Sequence, residues 1–312
     1  MHVADNDAAN LDGVALRYPE MRLSGDAAAV AADPQLDAVV VATNASSHYV
    51  IAADALTHGK HVIIEKPMCL SIEQCENLTA LAHKQQLVLL VGHVFLYNDA
   101  VRKMREILQE ESSGSVQLLT ARRTHLGTIR DDVSALWDLA AHDVAIFSYL
   151  LGEQPLSVSA VGSCFLRPGR EDVVFATLFY PRGVVGHVHV SWMDAIKERR
   201  VEAVSSHRAI VFNDLDSVES IRVVNKGISG DGDADSFGEF QYLVRDGDIV
   251  SPQLLRREPL KNLCMHFLDC IGSGKAPLTD GIHGTAVIRV LEAADRSIAA
   301  RGRELPIRDL SA

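Results

Sequence analysis

Residues 59–71 read GKHVIIEKPMCLS. His61 to Glu65 is an extended, mostly apolar run that stops at Lys66 and Pro67, and Ser71 then opens a helical pattern reaching about Lys84. A proline at that point halts ladder pairing, fixes the turn and can hold a cis bond. Upstream, LDAVVVAT (36–43) is a β-branched run of buried-strand type, and SHYVIAADALTHG has helical spacing that ends at Gly59. Downstream come the strand LVLLVGH (87–93) and a helix from about Asn98 to Glu111. Short apolar strands alternating with amphipathic helices predict a parallel sheet with helices on both faces. Ligands of such sheets bind beyond the carboxyl ends of the strands, where Thr43, Asn44, Glu65, Lys66, Pro67 and His93 fall.

After about residue 114 the texture changes to longer alternating strands: SVQLLTARRTH, VVFATLFY, VVGHVHVSWM, RRVEAVSS and RAIVFND. They predict a large, mostly antiparallel open sheet. A helix over 135–151 lies between the first two, and helices near 257–272 and 281–301 close the chain. The fold class expected is therefore α/β, a Rossmann-like doubly wound domain over 1–113, joined to an α+β domain over 114–312. The closing segment is expected to pack back onto the first domain.

Composition narrows the function. The chain has 312 residues, 47% of them hydrophobic, enough for about two domains and a large core. No apolar run approaches the roughly 18 residues of a membrane helix, and MHVADNDAANLDG lacks the basic and apolar regions of a signal peptide, which favours the cytoplasm. Cys69, Cys75, Cys164, Cys264 and Cys270 show no CxxC spacing and are expected to be reduced and structural. A net charge of -11 opposes binding to nucleic acid. His187 and His189 share one face of a strand without an evident third ligand, so no metal is expected. The acidic stretch SGDGDADSFGE lacks the full spacing of a calcium loop and reads as a solvated hairpin tip.

A second chemical element is WDLAAHD, which sets Asp138 and His142 four residues apart, on one face of a helix. The apolar stripe of that helix lies on the other side, and Tyr149 accompanies the polar face. Histidine suits proton transfer near neutrality, a carboxylate can orient it, and a lysine ammonium stabilises a developing alkoxide. Arg122, Arg123, Arg130, Lys197, Arg199 and Arg200 are candidates for a cationic pocket that meets an anionic substrate group.

The segment VVVATNASSHYVIAADALTHGKHVIIEKPMCLS resembles the core of the Gfo/Idh/MocA family of nicotinamide-dependent oxidoreductases, with A-T, S-H, A-L-x-x-G-K-H-V and E-K-P in order. VGHVFLYNDA, LWDLAAHDVAIFSYLLGE, SWMDAIKERR and EPLKNLCMHFLDCIGSGKAPLTDG extend the resemblance over nearly the whole chain. It implies transfer of hydride between NAD and a secondary hydroxyl or ketone of a sugar, cyclic polyol or nucleotide-linked sugar. It also implies Lys66 between nicotinamide and substrate, with Asp138 and His142 as the family's D-x-x-x-H pair. The roles expected are His142 as acid/base, Lys66 as electrostatic partner and Asp138 as orienting group. Cofactor contacts are expected from Asp5, Thr43, Asn44, His48, Glu65, Lys66 and Pro67, and substrate contacts from Lys66, Tyr97, Arg123, Asp138, His142 and Lys197. LGTIRDDVSALWDLAAHD resembles members of surface-polysaccharide sugar metabolism. A homo-oligomer, dimer or tetramer, is expected through the open sheet.

The chain departs from the family at its front. Members begin with a strand, a G-x-G-x-x-G turn and a helix, whereas this sequence opens at MHVADND. Asp5 aligns with the acid that binds the adenosine ribose diol and favours NAD over NADP, but the loop that cradles the pyrophosphate is missing. A first strand would be central in the sheet, so two facing strand edges are expected without it, in an incomplete version of a longer protein that binds NAD poorly. Asn44 and Asp99 stand where proline is frequent. The competing reading is a non-catalytic sugar-binding or assembly protein that has lost its dinucleotide site.

Overall fold

The computed structural model describes residues 1–127, 129–230 and 242–307. Two compact units make up the chain: Met1–His93 with Lys261–Ile288, and Val94–Leu260 with Arg289–Ala312. The expected boundary at 113 is thereby corrected to 93. The helix over 99–108 packs against partners within the second unit, and residues 261–288 return to the first.

In the first unit the order is β1 (His2–Ala4), α1 (Ala8–Arg17), β2 (Arg22–Ser24), α2 (Ala27–Ala31), β3 (Ala38–Val41), α3 (Ala45–Thr57), β4 (His61–Ile64), α4 (Ile72–Lys84) and β5 (Leu89–Val91). Side chains of Asp7, Asp26 and Ser71 cap α1, α2 and α4 by accepting from backbone amides two or three residues on. All strand pairs are parallel, as expected, but they form two sheets, β1–β2 and β3–β4–β5. Among the described residues β3 pairs with β4 alone and β1 with β2 alone. The middle of the apolar run LDAVVVAT is therefore not wholly buried: Val40 is 63% exposed while Val41 is 1% exposed. Lys60 is buried, its ammonium donating to the carbonyls of Asp33 and Leu36 at 2.7 and 2.6 Å.

The second unit contains α5 (Asp99–Leu108), β6 (Val116–Thr124), a π-helical turn (Leu136–Ala140), α6 (Ala141–Leu151), β7 (Ser157–Ser163), β8 (Val173–Phe179), β9 (Val185–Ser191), β10 (Glu198–Ser205), β11 (Ala209–Asn213), β12 (Ile221–Val224), β13 (Gly227–Gly230), β14 (Tyr242–Arg245) and β15 (Ile249–Val250). α7 (Pro259–Ser273) and α8 (Gly281–Ala299) begin and end across the unit boundaries, and β16 (Leu305–Pro306) closes the chain. Among the described residues nine strands form one sheet in the order β15-β12-β11-β10-β6-β9-β8-β7-β16. Every pair is antiparallel except β6–β9, which runs parallel. Strand alternation buries Leu119, Val188 and Val201 on one face, where α6 packs so closely that a Cβ on Gly186 would lie 2.9 Å from the Phe147 ring. The other face leaves Leu118, Val161 and Phe175 exposed. β13 pairs with β14, and the acidic tip between them, residues 231–241, lies outside the described residues.

Of the five cysteines, Cys69, Cys75 and Cys270 are buried and Cys164 and Cys264 exposed, all as thiols outside disulfides. His189 stacks on Phe175 with ring centroids 4.3 Å apart, and His187 contacts Thr177 at 3.3 Å. Among the described residues no helix is long and apolar enough to cross a membrane.

Candidate active site

In the first unit the turns after β3, β4 and β5 bring together Thr43, Asn44, His48, Glu65, Lys66, Pro67 and His93. Glu65 leaves β4 with its carboxylate against Gly92, where an added Cβ would lie 3.0 Å from Glu65 Cδ. The Lys66 amide donates to Glu65 Oε2 at 3.2 Å, and the Lys66–Pro67 peptide is cis. Met68 and Cys69 are fully buried, with Gly284 of α8 so close that a Cβ there would meet Met68 Sδ at 2.7 Å. That approach depends on a backbone exchange in which the Val91 amide donates to the Thr279 carbonyl and the Thr279 hydroxyl donates back to Val91. The E-K-P turn thus rests on a packed floor. Lys66, half-buried, is its cation.

His93 and His283 meet edge to face with ring centroids 5.1 Å apart, and none of their four ring nitrogens has a hydrogen-bond partner among the described residues. Burial holds the His93 imidazole well below the usual histidine range, and the nearby His283 and Lys66 push it the same way. At Thr43, the hydroxyl meets that of Ser47 at 2.8 Å, and Asn44 opens α3 without a side-chain cap bond. Asp5 follows β1, its carboxylate accepting from the Asp7 amide at 2.8 Å and from Asn10 Nδ2 at 3.0 Å. Each oxygen retains a lone pair for a diol.

In the second unit, Asp138 lies in the π-helical turn and His142 in the first turn of α6. A π turn at this point was not legible in the i, i+4 pattern, and such turns recur at functional sites. Asp138 Oδ2 accepts from the Trp192 indole at 3.3 Å, and Oδ1 lies 3.6 Å from the Arg130 guanidinium. The neighbouring Trp137 indole donates to Asp295 Oδ2 at 2.6 Å, so two tryptophans clasp the turn. The His142 ring packs edge to face on Phe95 at 5.0 Å. Asp138, His142, Tyr149 and the terminal Leu151 are the half-buried residues of a helical segment otherwise buried almost all round, whereas a single apolar stripe was expected. A cavity of about 370 Å³ lined by Leu126, Gly127, Ile129, Leu166, Trp192 and Met193 adjoins Asp138 through Trp192.

Two of the residues expected to contact substrate, Arg123 and Tyr97, are buried. Arg123 is 4% exposed and gives two bonds to Asp143 Oδ1, at 3.2 and 2.8 Å, with Phe95 stacked on its guanidinium at 4.5 Å. Burial pushes the Asp143 carboxyl up while the Arg123 charge opposes that. This pair is a core strut beside His142. Tyr97 is fully buried, with the Arg102 guanidinium 5.3 Å from its ring. The other cations of the expected pocket are neutralised as well: Arg122 by Glu198, Arg130 by Asp132, Arg199 by Asp214 and Arg200 by Glu202. Lys197 is exposed and has no ion pair among the described residues.

NAD would be held in the first unit, and the residues there fit its two ends. Asp5 offers a carboxylate to a ribose diol, and the unmet nitrogens of His93 and His283 supply polar atoms beside Lys66. Sequence reading passed over Gly92, His283, Phe95, Trp192 and Asp143. The acid following His142 was the available signal for the last.

Comparison with known proteins identifies the family. A family model described as an oxidoreductase family with an NAD-binding Rossmann fold matches residues 1–93, and the GFO/IDH/MocA C-terminal domain model matches 101–211. A UDP-N-acetylglucosamine 3-dehydrogenase of Acidithiobacillus ferrooxidans is 26% identical over 257 residues, 81% of this chain and 76% of that protein. The scyllo-inositol 2-dehydrogenase (NAD(+)) of Bacillus subtilis is 24% identical over 285 residues, 88% of this chain and 79% of that protein. Among solved structures, that of the Acidithiobacillus enzyme superposes with a TM-score of 0.80 at 25% identity, covering 97% of this chain and 90% of that one.

Proposed function

Because the chain belongs to the Gfo/Idh/MocA family of oxidoreductases, with an NAD-binding Rossmann fold, we propose that it is an NAD-dependent dehydrogenase or ketoreductase of a sugar, cyclic polyol or nucleotide-linked sugar. The observation that carries this reading is the E-K-P turn, in which a packed floor under Met68 and the Glu65–Gly92 contact hold Lys66 at the carboxyl end of β4. Bound NAD supplies the hydride acceptor or donor. The protein's part is to manage the proton and the charge on the reacting oxygen. Lys66 stabilises that oxygen as alkoxide character grows, His142 takes or returns its proton, and Asp138 is the orienting carboxylate of the same helix. Thr43, Asn44, Glu65 and Pro67 complete the nicotinamide end.

The apolar cavity walled by Trp192, Leu126 and Ile129 suits the hydrophobic face of a sugar or cyclitol ring. Lys197 is the cation left to meet a phosphate if the sugar is nucleotide-linked. A 3-hydroxyl of UDP-N-acetylglucosamine and a 2-hydroxyl of scyllo-inositol are the two substrate classes to assay first, by analogy with the relatives. We further propose a cytoplasmic homo-oligomer in which a second copy covers Leu118, Val161 and Phe175 on the open sheet face.

The test follows NADH absorbance with both substrate classes. Lys66→Met keeps the apolar stem and removes the charge, and should lower kcat by at least about 10²-fold with a much smaller change in NAD affinity. His142→Asn should remove an ionisation near neutrality from the rate profile. Undiminished turnover in Lys66→Met, or an unaltered profile in His142→Asn, would withdraw the corresponding role.

A further inference from the structure

A buried histidine spans the two turns that frame Lys66. His48, in the first turn of α3, is 1% exposed. Its Nδ1 lies 2.9 Å from the Pro67 carbonyl oxygen and its Nε2 3.0 Å from the Thr43 carbonyl oxygen. Carbonyl oxygens only accept, so each contact is a hydrogen bond when the facing nitrogen carries the proton. A neutral ring makes one such bond and a doubly protonated ring makes both. An imidazole has just two polar atoms, and here both are turned to the protein's own backbone. None remains for a dinucleotide, contrary to the cofactor contact expected from the S-H motif.

We propose that His48 is a positioning residue for Lys66, a strap that ties the turn after β4 to the turn after β3; the inference rests on the role of Lys66 given above. The carbonyl it holds belongs to the residue next to Lys66. On the other side of the lysine, its own amide is tied to Glu65, and Glu65 is wedged against Gly92. The turn is therefore gripped before and after Lys66, and the backbone that launches the ammonium has little freedom to drift. A buried carbonyl without a donor is costly, and for the carbonyl of buried Pro67 this is the physical reason for a histidine here in place of an aliphatic residue of similar bulk.

The test compares His48→Phe, which keeps a planar ring without donors, with His48→Gln, which keeps one amide donor, and with His58→Gln as a control on the same helix. Amide hydrogen exchange, thermal midpoint, kcat and KM for NAD are measured on each full chain. His48→Phe is expected to speed exchange at Lys66, Met68 and Cys69 and to lower kcat by about tenfold or more, the scale of a small misplacement of a catalytic group, with KM for NAD within about threefold. His48→Gln should fall between it and the parent, and carries the test alone if the phenylalanine variant does not fold. Unchanged exchange at those amides overturns the proposal, as does an unchanged kcat with a large rise in KM, which would make His48 a cofactor ligand after all. Should Lys66→Met prove fully active, the catalytic reading falls, and the exchange data still decide whether His48 holds the turn.

Discussion

Asp295 is the carboxylate whose burial has the clearest consequence for stability. It accepts the Trp137 indole proton at 2.6 Å, and burial, with Glu171 and Glu292 nearby, pushes its carboxyl from an ordinary 3.8 up to about 6, the indole bond opposing. At about 1.4 kcal/mol per tenfold, that difference makes ionisation of Asp295 in the folded chain cost about 3 kcal/mol relative to the unfolded one. A raised acid pKa means that the folded state binds the proton more tightly. Its contribution to stability is thus fully present below pH 3.8, declines as pH rises through about 6, and stays lost above that. Asp295→Asn keeps an oxygen acceptor for Trp137 and removes the buried charge. Allowing about 1 kcal/mol for imperfect amide hydrogen bonding, the variant should be about 2 kcal/mol more stable than the parent at pH 8 and no more stable at pH 4. Urea denaturation followed by tryptophan fluorescence at the two pH values measures this. Equal stabilities at pH 8, or the same gain at both pH values, would refute the reasoning.

Gly92→Ala places a methyl 3.0 Å from the Glu65 carboxyl, so Glu65 must shift and take the Lys66 amide with it; kcat should fall by about tenfold while NAD affinity and thermal midpoint change little, as steady-state kinetics and calorimetry will report. Arg123→Met alone strands the buried Asp143 and should destabilise by about 3 to 5 kcal/mol, whereas Arg123→Met with Asp143→Leu should recover most of that, because the desolvation cost leaves with the charges. A double-mutant cycle in guanidinium chloride checks both values.

The chain by itself determined most of the local architecture. The apolar runs ending at Thr43, Glu65 and His93 became parallel strands with their polar ends together, since period and β-branching act over neighbouring residues. Ser71 and Asn98 announced α4 and α5 by capping them. Local pattern singled out Lys66, Asp138 and His142, through a proline-terminated strand and a polar face on an apolar helix, but by itself it suits a solvated lysine and a solvated helix face equally; the family resemblance supplied their expected chemical roles. Tertiary structure alone decided how other residues were used. Arg123 reads as a strand-end cation, yet its carboxylate partner, the acid next to His142, is brought to it only when α6 folds onto β6. His48 belongs to a motif that suggests a ligand, but its two nitrogens meet carbonyls supplied by separate turns. Whether a polar side chain faces a cofactor, a salt-bridge partner or a backbone oxygen depends on groups distant in sequence, and hydrophobic periodicity, which sets each element's buried face, carries no information about them.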